Sequence, residues 1–467
     1  MSSTSKNLSK AMPLLLCSVL SVVSAASSAA VDSRRAEQLG DELTPFGAIR
    51  SANDNGDIPP WTGGNREFPP GYHETGQHHI DPYPGDMPRY RITTSNLTDH
   101  QHHLGDGVAA MIRAYPESFW LNVYPSRRPH TAPPSVIRNT RNNALNARLV
   151  SGGNGIEGAY GGIPFPILSG SNTERAMQAM WNHLTRWRGI HMTRTATELA
   201  VTQTGRKTPV TLRQELAFNY YDPEADANSL DNVLSYYLST VTAPRQFAGG
   251  GILVHDPLNQ VIEPRQAWGF NAGQRRVRRA PSLAYDSPIA AAANLRTVDD
   301  TGMFNGALDR YNWRYLGLQE KLIPYNNYRL GEAGLPMDTI LHDHHLNANL
   351  VRWELHRVHV VEATLKEGAR HIYTKRRFYL DEDSWNIAMV DQYDAEGELW
   401  RVSLAMLKNF YDLPGVWSDV EVFHDLKARG YNVQGLTTEL SGTRVFSKQM
   451  PGARYFSPRT LRRRLSR

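Results

Sequence analysis

The chain has 467 residues, 40% apolar and 21% charged, enough apolar material to bury a full core, which excludes an intrinsically disordered protein. Its formal charge of +5 is small and evenly spread, which excludes a nucleic-acid footprint. Length allows two or three domains, or one large all-β domain.

The first thirty residues read as an export signal. Lys6 and Lys10 precede an apolar run over residues 12–23, and Ser28 and Ala30 suit a cleavage site after Ala30. A membrane anchor is the alternative, but the run falls short of the ~20 residues a spanning helix needs. Cys17 is the only cysteine and lies in this signal, with Leu16 before it where lipid attachment needs a small residue. Once the signal is cut, no thiol remains for disulfides, zinc thiolates or nucleophilic catalysis. No later segment is apolar enough to span a bilayer, so a soluble exported protein, most plausibly periplasmic, is expected.

Residues 31–50 predict a short helix ended by Thr44-Pro45. Residues 51–95 are rich in Pro, Gly, Asn and Asp with aromatics among them, and read as an ordered surface wrap. A helix is expected over 95–115, a strand over 119–124 and a second helix over 136–144. A Gly-rich loop at 151–166 precedes a helix over 173–188, where Met177, Met180, Trp181, Leu184 and Trp187 make an apolar stripe. Strands are expected at 192–202, 208–221, 232–242, 250–256, 262–271, 274–278, 310–322, 350–365, 371–380, 385–393 and 398–410. In 350–365, Trp353, Leu355, Val361, Ala363 and Leu365 share one face and Arg352, Glu354, His356, Glu362 and Thr364 the other, as in a sheet with one wet face. The organisation expected is a signal (1–30), an N-terminal wrap with short helices (31–150), a mainly β, antiparallel domain (151–458) and a basic tail (459–467).

Histidines cluster at His73, His78 and His79, at His100, His102 and His103, and at His342, His344 and His345 beside Asp343. The first group lacks the helix that a His-Glu-x-x-His zinc site needs. The third could offer imidazole and carboxylate ligands, or be a plain solvated loop. The glycines of 152–162 match neither a P-loop nor a dinucleotide fingerprint and suit tight turns. No Gly-x-Ser-x-Gly elbow occurs. Asp381, Glu382 and Asp383 read as a hairpin turn, with calcium ligation as the alternative. Arg275, Arg276 and Arg278, with Arg279, suit anionic headgroups or cross-strand acidic partners. Trp268, Phe270, Trp313, Tyr315, Trp353, Leu355, Phe378 and Trp385 fall on expected strands, where they either line a ligand cavity or fill the core.

Several strings are more specific. GGNGIEGAYGGIPFPI (152–167), MWNHLTRWRG (180–189), GQRRVRRAPSLAYDSP (273–288), FNGALDRYNWRYLGLQEKLIPYN (304–326) and the segment 350–385 resemble the family catalogued as domain of unknown function 1329. The resemblance runs from about Leu39 to Leu461. It implies kinship with the Lol-type lipoprotein-sorting carriers, hence a curved, unclosed antiparallel barrel with helices over its mouth. It also implies a periplasmic shuttle for a lipid, an acyl chain or another hydrophobic compound, working beside an RND-type exporter and an outer-membrane protein. It carries no catalytic residue.

A carrier of this kind gains about 0.8 kcal/mol per buried methylene, and roughly 12 kcal/mol for a 16-carbon chain before ordering costs. It also needs a lid, for which Met177, Met180, Trp181 and Leu184 mark the 173–188 helix. A monomer without cofactor is expected. The competing readings are a metal-assisted hydrolase using His342, His344 and His345, and a non-catalytic adaptor in an envelope transport complex.

Overall fold

The computed structural model describes residues 31–280 and 285–465, so the export signal expected over 1–30 lies outside the described residues. The N-terminal third is largely irregular. It contains helix α1 (Ser33–Glu37), strand β1 (Tyr90–Ile92), helices α2 (Leu97–His100) and α3 (Asp106–Ala114), strand β2 (Leu121–Val123) and helix α4 (Pro134–Asn146). Asp32 caps α1 by accepting from the Arg35 N–H, and the chain turns away at Gly40, whose φ of 93° favours glycine. The helix expected over 95–115 is split, because Leu104 and Gly105 are extended. A ribbon of β3 (Arg148–Leu149) and β4 (Ile156–Glu157) leads to α5 (Asn172–Thr185). Ser171 and Glu174 form a capping box that starts α5 one residue from the expected position.

The other strands join β1 and β2 in one sheet. They are β5 (His191–Val201), β6 (Lys207–Ala217), β7 (Val233–Ala243), β8 (Gly251–Pro257), β9 (Gln266–Asn271) and β10 (Arg276–Arg279), then β11 (Tyr311–Pro324), β12 (Arg352–Leu365), β13 (Lys375–Asp381), β14 (Ile387–Tyr393), β15 (Leu399–Phe410), β16 (Gly415–Asp425), β17 (Gly430–Leu436) and β18 (Arg444–Ser447). Short helix α6 (Met337–Ile340) lies between β11 and β12, and α7 (Pro458–Leu465) closes the described chain. Strands β16 to β18 add to those expected up to residue 410; their signal is Val416, Val420, Val422 and Val433 around the 426–429 turn.

From the β11 border, β11 to β17 run antiparallel in chain order; β17 then joins β5, and β5 to β10 continue to the other border. β2 adds a short parallel pairing to the start of β12, and β18 lies along β5 beyond β17. The borders β10 and β11 do not pair with each other, so the barrel is unclosed. It is nonetheless strongly bent. In a flat sheet β11 and β15 would be about 19 Å apart, at ~4.8 Å per strand. Here β11 approaches β14 and β15, and the Asn327 N–H just past β11 donates to the Leu407 carbonyl of β15 at 2.9 Å. A β-bulge between Tyr315 and Gly317, with Gly317 at φ 100°, helps β11 turn.

Segments cover both faces of the bent part. On one face α3 packs so closely that Gly105 meets Tyr379, and Gly107 meets Asp391 and Val402. On the opposite face Phe304 packs against Phe378, and α5 bonds through His183 to the Gly302 carbonyl. The wet face expected for β12 is therefore absent: Arg352 to Ala363 are all buried, polar side chains included. Polar and apolar residues alternate as expected, but the polar row is paired internally rather than solvated. The other flank differs. α7 and Phe456 cover one face of β7 to β10 in a small separate core with Tyr236, Leu238, Leu253 and Phe270, and β10 keeps exposed arginines. The basic tail expected over 459–467 is, through residue 465, largely this helix. Leu461 is buried, and Arg464 pairs with Glu215 at 3.0 Å.

Candidate functional site

A surface cleft of about 270 Å³ opens between the N-terminal wrap and the start of β12, lined by Tyr83, Asp86, Tyr124, Asn326, Tyr328 and Arg352 among others. From Arg352 in its lining, a buried row of ionisable groups continues along β12 at two-residue spacing. The Arg352 guanidinium stacks over Tyr124 and Tyr83, donates to Asp86 at 2.7 Å and pairs with Glu354. Glu354, fully buried, also accepts from Asn326 Nδ2 at 3.0 Å, the Arg127 N–H at 2.8 Å and His356 Nε2 at 3.1 Å. Tyr325 stacks on the His356 ring with centroids 4.0 Å apart and donates to Asp381 Oδ2 at 3.1 Å. Ser384 gives the same oxygen a backbone N–H and its hydroxyl. Asp383 takes a two-pronged pair from Arg128, at 2.8 and 2.7 Å. Arg128 in turn donates to the carbonyls of Ile49, Arg50 and Pro59, tying the wrap to the sheet.

The three consecutive carboxyls at 381–383 lie at the hairpin turn between β13 and β14, as expected, but they are buried, and their surroundings drive them apart. Burial and then the Asp383 charge push Asp381 up to about 6. Burial and Asp383 likewise push Glu382 up to about 8, although the Ile49 N–H donates to it at 2.7 Å. Burial opposes the charge on Asp383 too, but Arg128 overrides it and holds that carboxyl below its ordinary value. Arg352 does the same for Glu354. The row thus holds ionised and protonated acids side by side, an arrangement able to hold a proton or a cation.

The eight aromatic and aliphatic cavity candidates pack mainly against protein. Trp313 stacks on Phe378, Trp385 lies parallel to His359 with centroids 4.5 Å apart, and the Tyr315 hydroxyl bonds His359 at 2.8 Å. Trp268 meets His255, Phe270 belongs to the small core under α7, and Leu355 to the main core. Only Trp353 borders one of the two cavities described here, a void of about 10 Å³ shared with Leu404, Met406, His424 and others, which is room for one water.

Met180, Trp181 and Leu184 are buried and Met177 half-buried. α5 is fastened along its length: Trp181 Nε1 donates to the Gly153 carbonyl, Asn182 exchanges bonds with Phe165, and His183 bridges Trp385 and Gly302.

His342, His344 and His345 do not converge on a carboxylate. His345 donates through Nδ1 to the Leu346 carbonyl and accepts from Ser118 at 2.8 Å, and burial lowers it to about 4. His344 stacks on Tyr115 and bonds the Arg429 carbonyl, while His342 is exposed. Arg276 and Arg278 are exposed on β10 opposite Asn271 and Gly269, so the expected acidic cross-strand partners are not there; Arg275 sits in the turn before them.

Sequence reasoning assigned Arg352, Glu354 and His356 to a solvated face and therefore missed them. The available signal was their alternating charge on one side of a strand, which is costly in the interior unless paired.

A bent, unclosed, mainly antiparallel sheet, covered on both faces over its bent part, defines a mostly β protein of the half-barrel class. The family model described as "Protein of unknown function (DUF1329)" matches residues 91–462, and the chain belongs to that family. The uncharacterized protein PA3922 of Pseudomonas aeruginosa is 41% identical over 420 residues, covering 90% of this chain and 91% of the relative. Among solved structures, a domain classed with outer membrane lipoprotein-sorting proteins from Vibrio parahaemolyticus aligns at a TM-score of 0.42 and 14% identity, over 62% of this chain and all of that one. A DUF1329 family protein from Desulfovibrio piger aligns at 0.41 and 11%, with the same coverage. A LolA superfamily protein from Nitrosomonas europaea aligns at 0.34 and 12%, over 60% and 97%. No helix among the described residues is long and apolar enough to cross a membrane.

Proposed function

We propose that this protein binds and carries a hydrophobic molecule, a lipid or acyl chain, in the cell envelope, with an RND-type exporter and an outer-membrane protein as its partners. The observation that carries the reading is the cover. The sheet bends until the chain beyond β11 bonds β15, and its apolar surface is closed by separate segments rather than by a second sheet. Side chains and loops hold those segments, so they can part from the wall without breaking a strand ladder.

Neither of these two cavities has room for cargo as it stands. A void of 10 Å³ admits no cargo, and the 270 Å³ cleft falls just short of the roughly 300 Å³ at which ligand pockets begin. Cargo therefore docks at the cleft and enters as a cover segment lifts. α3 is better suited to lift than α5: its main polar ties are the Gly107 N–H to Asp391 and Asp106 to Arg377 and Tyr393. α5, on the opposite face, keeps its stripe of Met177, Met180, Trp181 and Leu184 fixed against the sheet.

Solvent extraction and native mass spectrometry of the purified full chain test this. A co-purifying amphiphile is expected, with α3 exchanging amide hydrogens faster than α5. A chain that carries no amphiphile and takes up no fluorescent fatty acid overturns the reading.

A further inference from the structure

His356 on β12 and Asp381 and Asp383 at the β13–β14 turn each turn one ligand atom toward a common point. The three atoms lie within 4.8 Å of one another, and all three side chains are buried. The hydrogen bonds around them leave an unresolved contact. His356 Nε2 lies 3.1 Å from Glu354 Oε2, a carboxylate oxygen, so Nε2 carries the hydrogen and donates it. In the neutral ring this leaves Nδ1 as a bare acceptor. Nδ1 faces Asp381 Oδ1 at 3.8 Å, too far for a hydrogen bond.

Asp381 Oδ1 is itself buried and has no hydrogen-bond partner, whereas Oδ2 of the same carboxyl takes donors from Tyr325 and Ser384. Two acceptors thus confront each other in a buried interior, and something positive belongs between them.

We infer that His356 Nδ1, Asp381 Oδ1 and one oxygen of Asp383 hold a divalent transition-metal ion of the Zn²⁺ or Mn²⁺ class. One imidazole and two carboxylates form a nitrogen–oxygen donor set that suits these ions. The Nε2–H to Glu354 contact supplies the carboxylate–histidine relay that orients metal-bound imidazoles. Asp383 already binds Arg128 through both oxygens, yet each carboxylate oxygen keeps a second lone pair.

The ion's role is structural. It fastens β12 to the 381–384 turn and, through Arg128, to the wrap at Ile49, Arg50 and Pro59. The site shares no residue with the loop of His342, His344 and His345.

The test uses the full chain purified without chelator, its metal measured by plasma mass spectrometry, and then exposed to Zn²⁺, Mn²⁺ or Co²⁺ either folded or during refolding. Roughly one ion per chain is expected, with a melting temperature raised by several degrees and a visible Co²⁺ absorption band. Asp381→Asn, nearly isosteric, loses the ion, the band and the shift. If that variant does not fold, the stoichiometry and Co²⁺ spectrum of the native chain decide alone. A native chain that takes up no metal even on refolding, or an Asp381→Asn chain that keeps it, overturns the inference.

Discussion

The sheet has two unlike halves. From β12 to β17 nearly every residue is buried, charged ones included: Arg376 lies against Asp299 at 2.6 Å, and Lys408 against Asp419 at 2.6 Å. From β8 to β10 the strands keep a partly open face, and Arg276, Arg278 and Arg279 reach solvent. Both halves alternate polar with apolar residues. Alternation therefore reports which residues share a face, not whether that face is wet. What decides exposure is whether another segment lies over it and brings matching charges.

The largest effect is expected from breaking a buried pair in the doubly covered half. Arg376→Ala strands Asp299 and Asp300 among tyrosines and should cost about 3–5 kcal/mol in urea unfolding. A loss comparable to that of a surface pair would mean that this face is wet after all.

A tryptophan from each half sharpens the contrast. Trp385→Ala removes a buried ring that donates to the Phe46 carbonyl and stacks on His359, at about 3–5 kcal/mol. Trp268→Ala removes a half-buried ring from β9, at about 1–2 kcal/mol. Equal losses would erase the distinction between the halves.

A pH slope tests the doubly covered half in another way. Glu382 is raised to about 8 in the folded chain, so its proton is held more tightly there than in the unfolded chain. Its contribution is fully favourable below about pH 4.5 and is lost as pH climbs through 8. Glu382→Gln should match the native chain near pH 4 and exceed it at pH 8 by up to about 4 kcal/mol. A constant difference across that range would refute the shift.

Much of the fold was legible in the residues. The meander from β11 to β15, the α5 stripe and the turn-rich wrap all carry strong local signals: period-2 patterning, a capping box, and Pro-Gly punctuation. What stayed hidden is long-range. The turn at 381–384 was legible, but nothing local to it tells that Arg128, some 250 residues earlier, pairs with Asp383 or that His356 faces Asp381, so its burial was not. The cover over β12 was hidden for the same reason, since the residues that bury Glu354 come from the 326 and 127 segments. Aromatic residues on strands likewise state that something apolar is nearby, without stating whether it is cargo or another side chain.

Among the described residues β10 pairs only with β9, and this open border has a consequence for crowded conditions. A free strand edge is a template onto which a second edge readily zips, and end-to-end stacking of identical chains is the usual hazard. Arg276, Arg278 and Arg279 line that border in every copy, so two molecules approaching edge to edge meet like charge before their backbones can register. The guanidinium row thus discourages self-templated fibres, and an open sheet of this width can stay dispersed without closing into a ring.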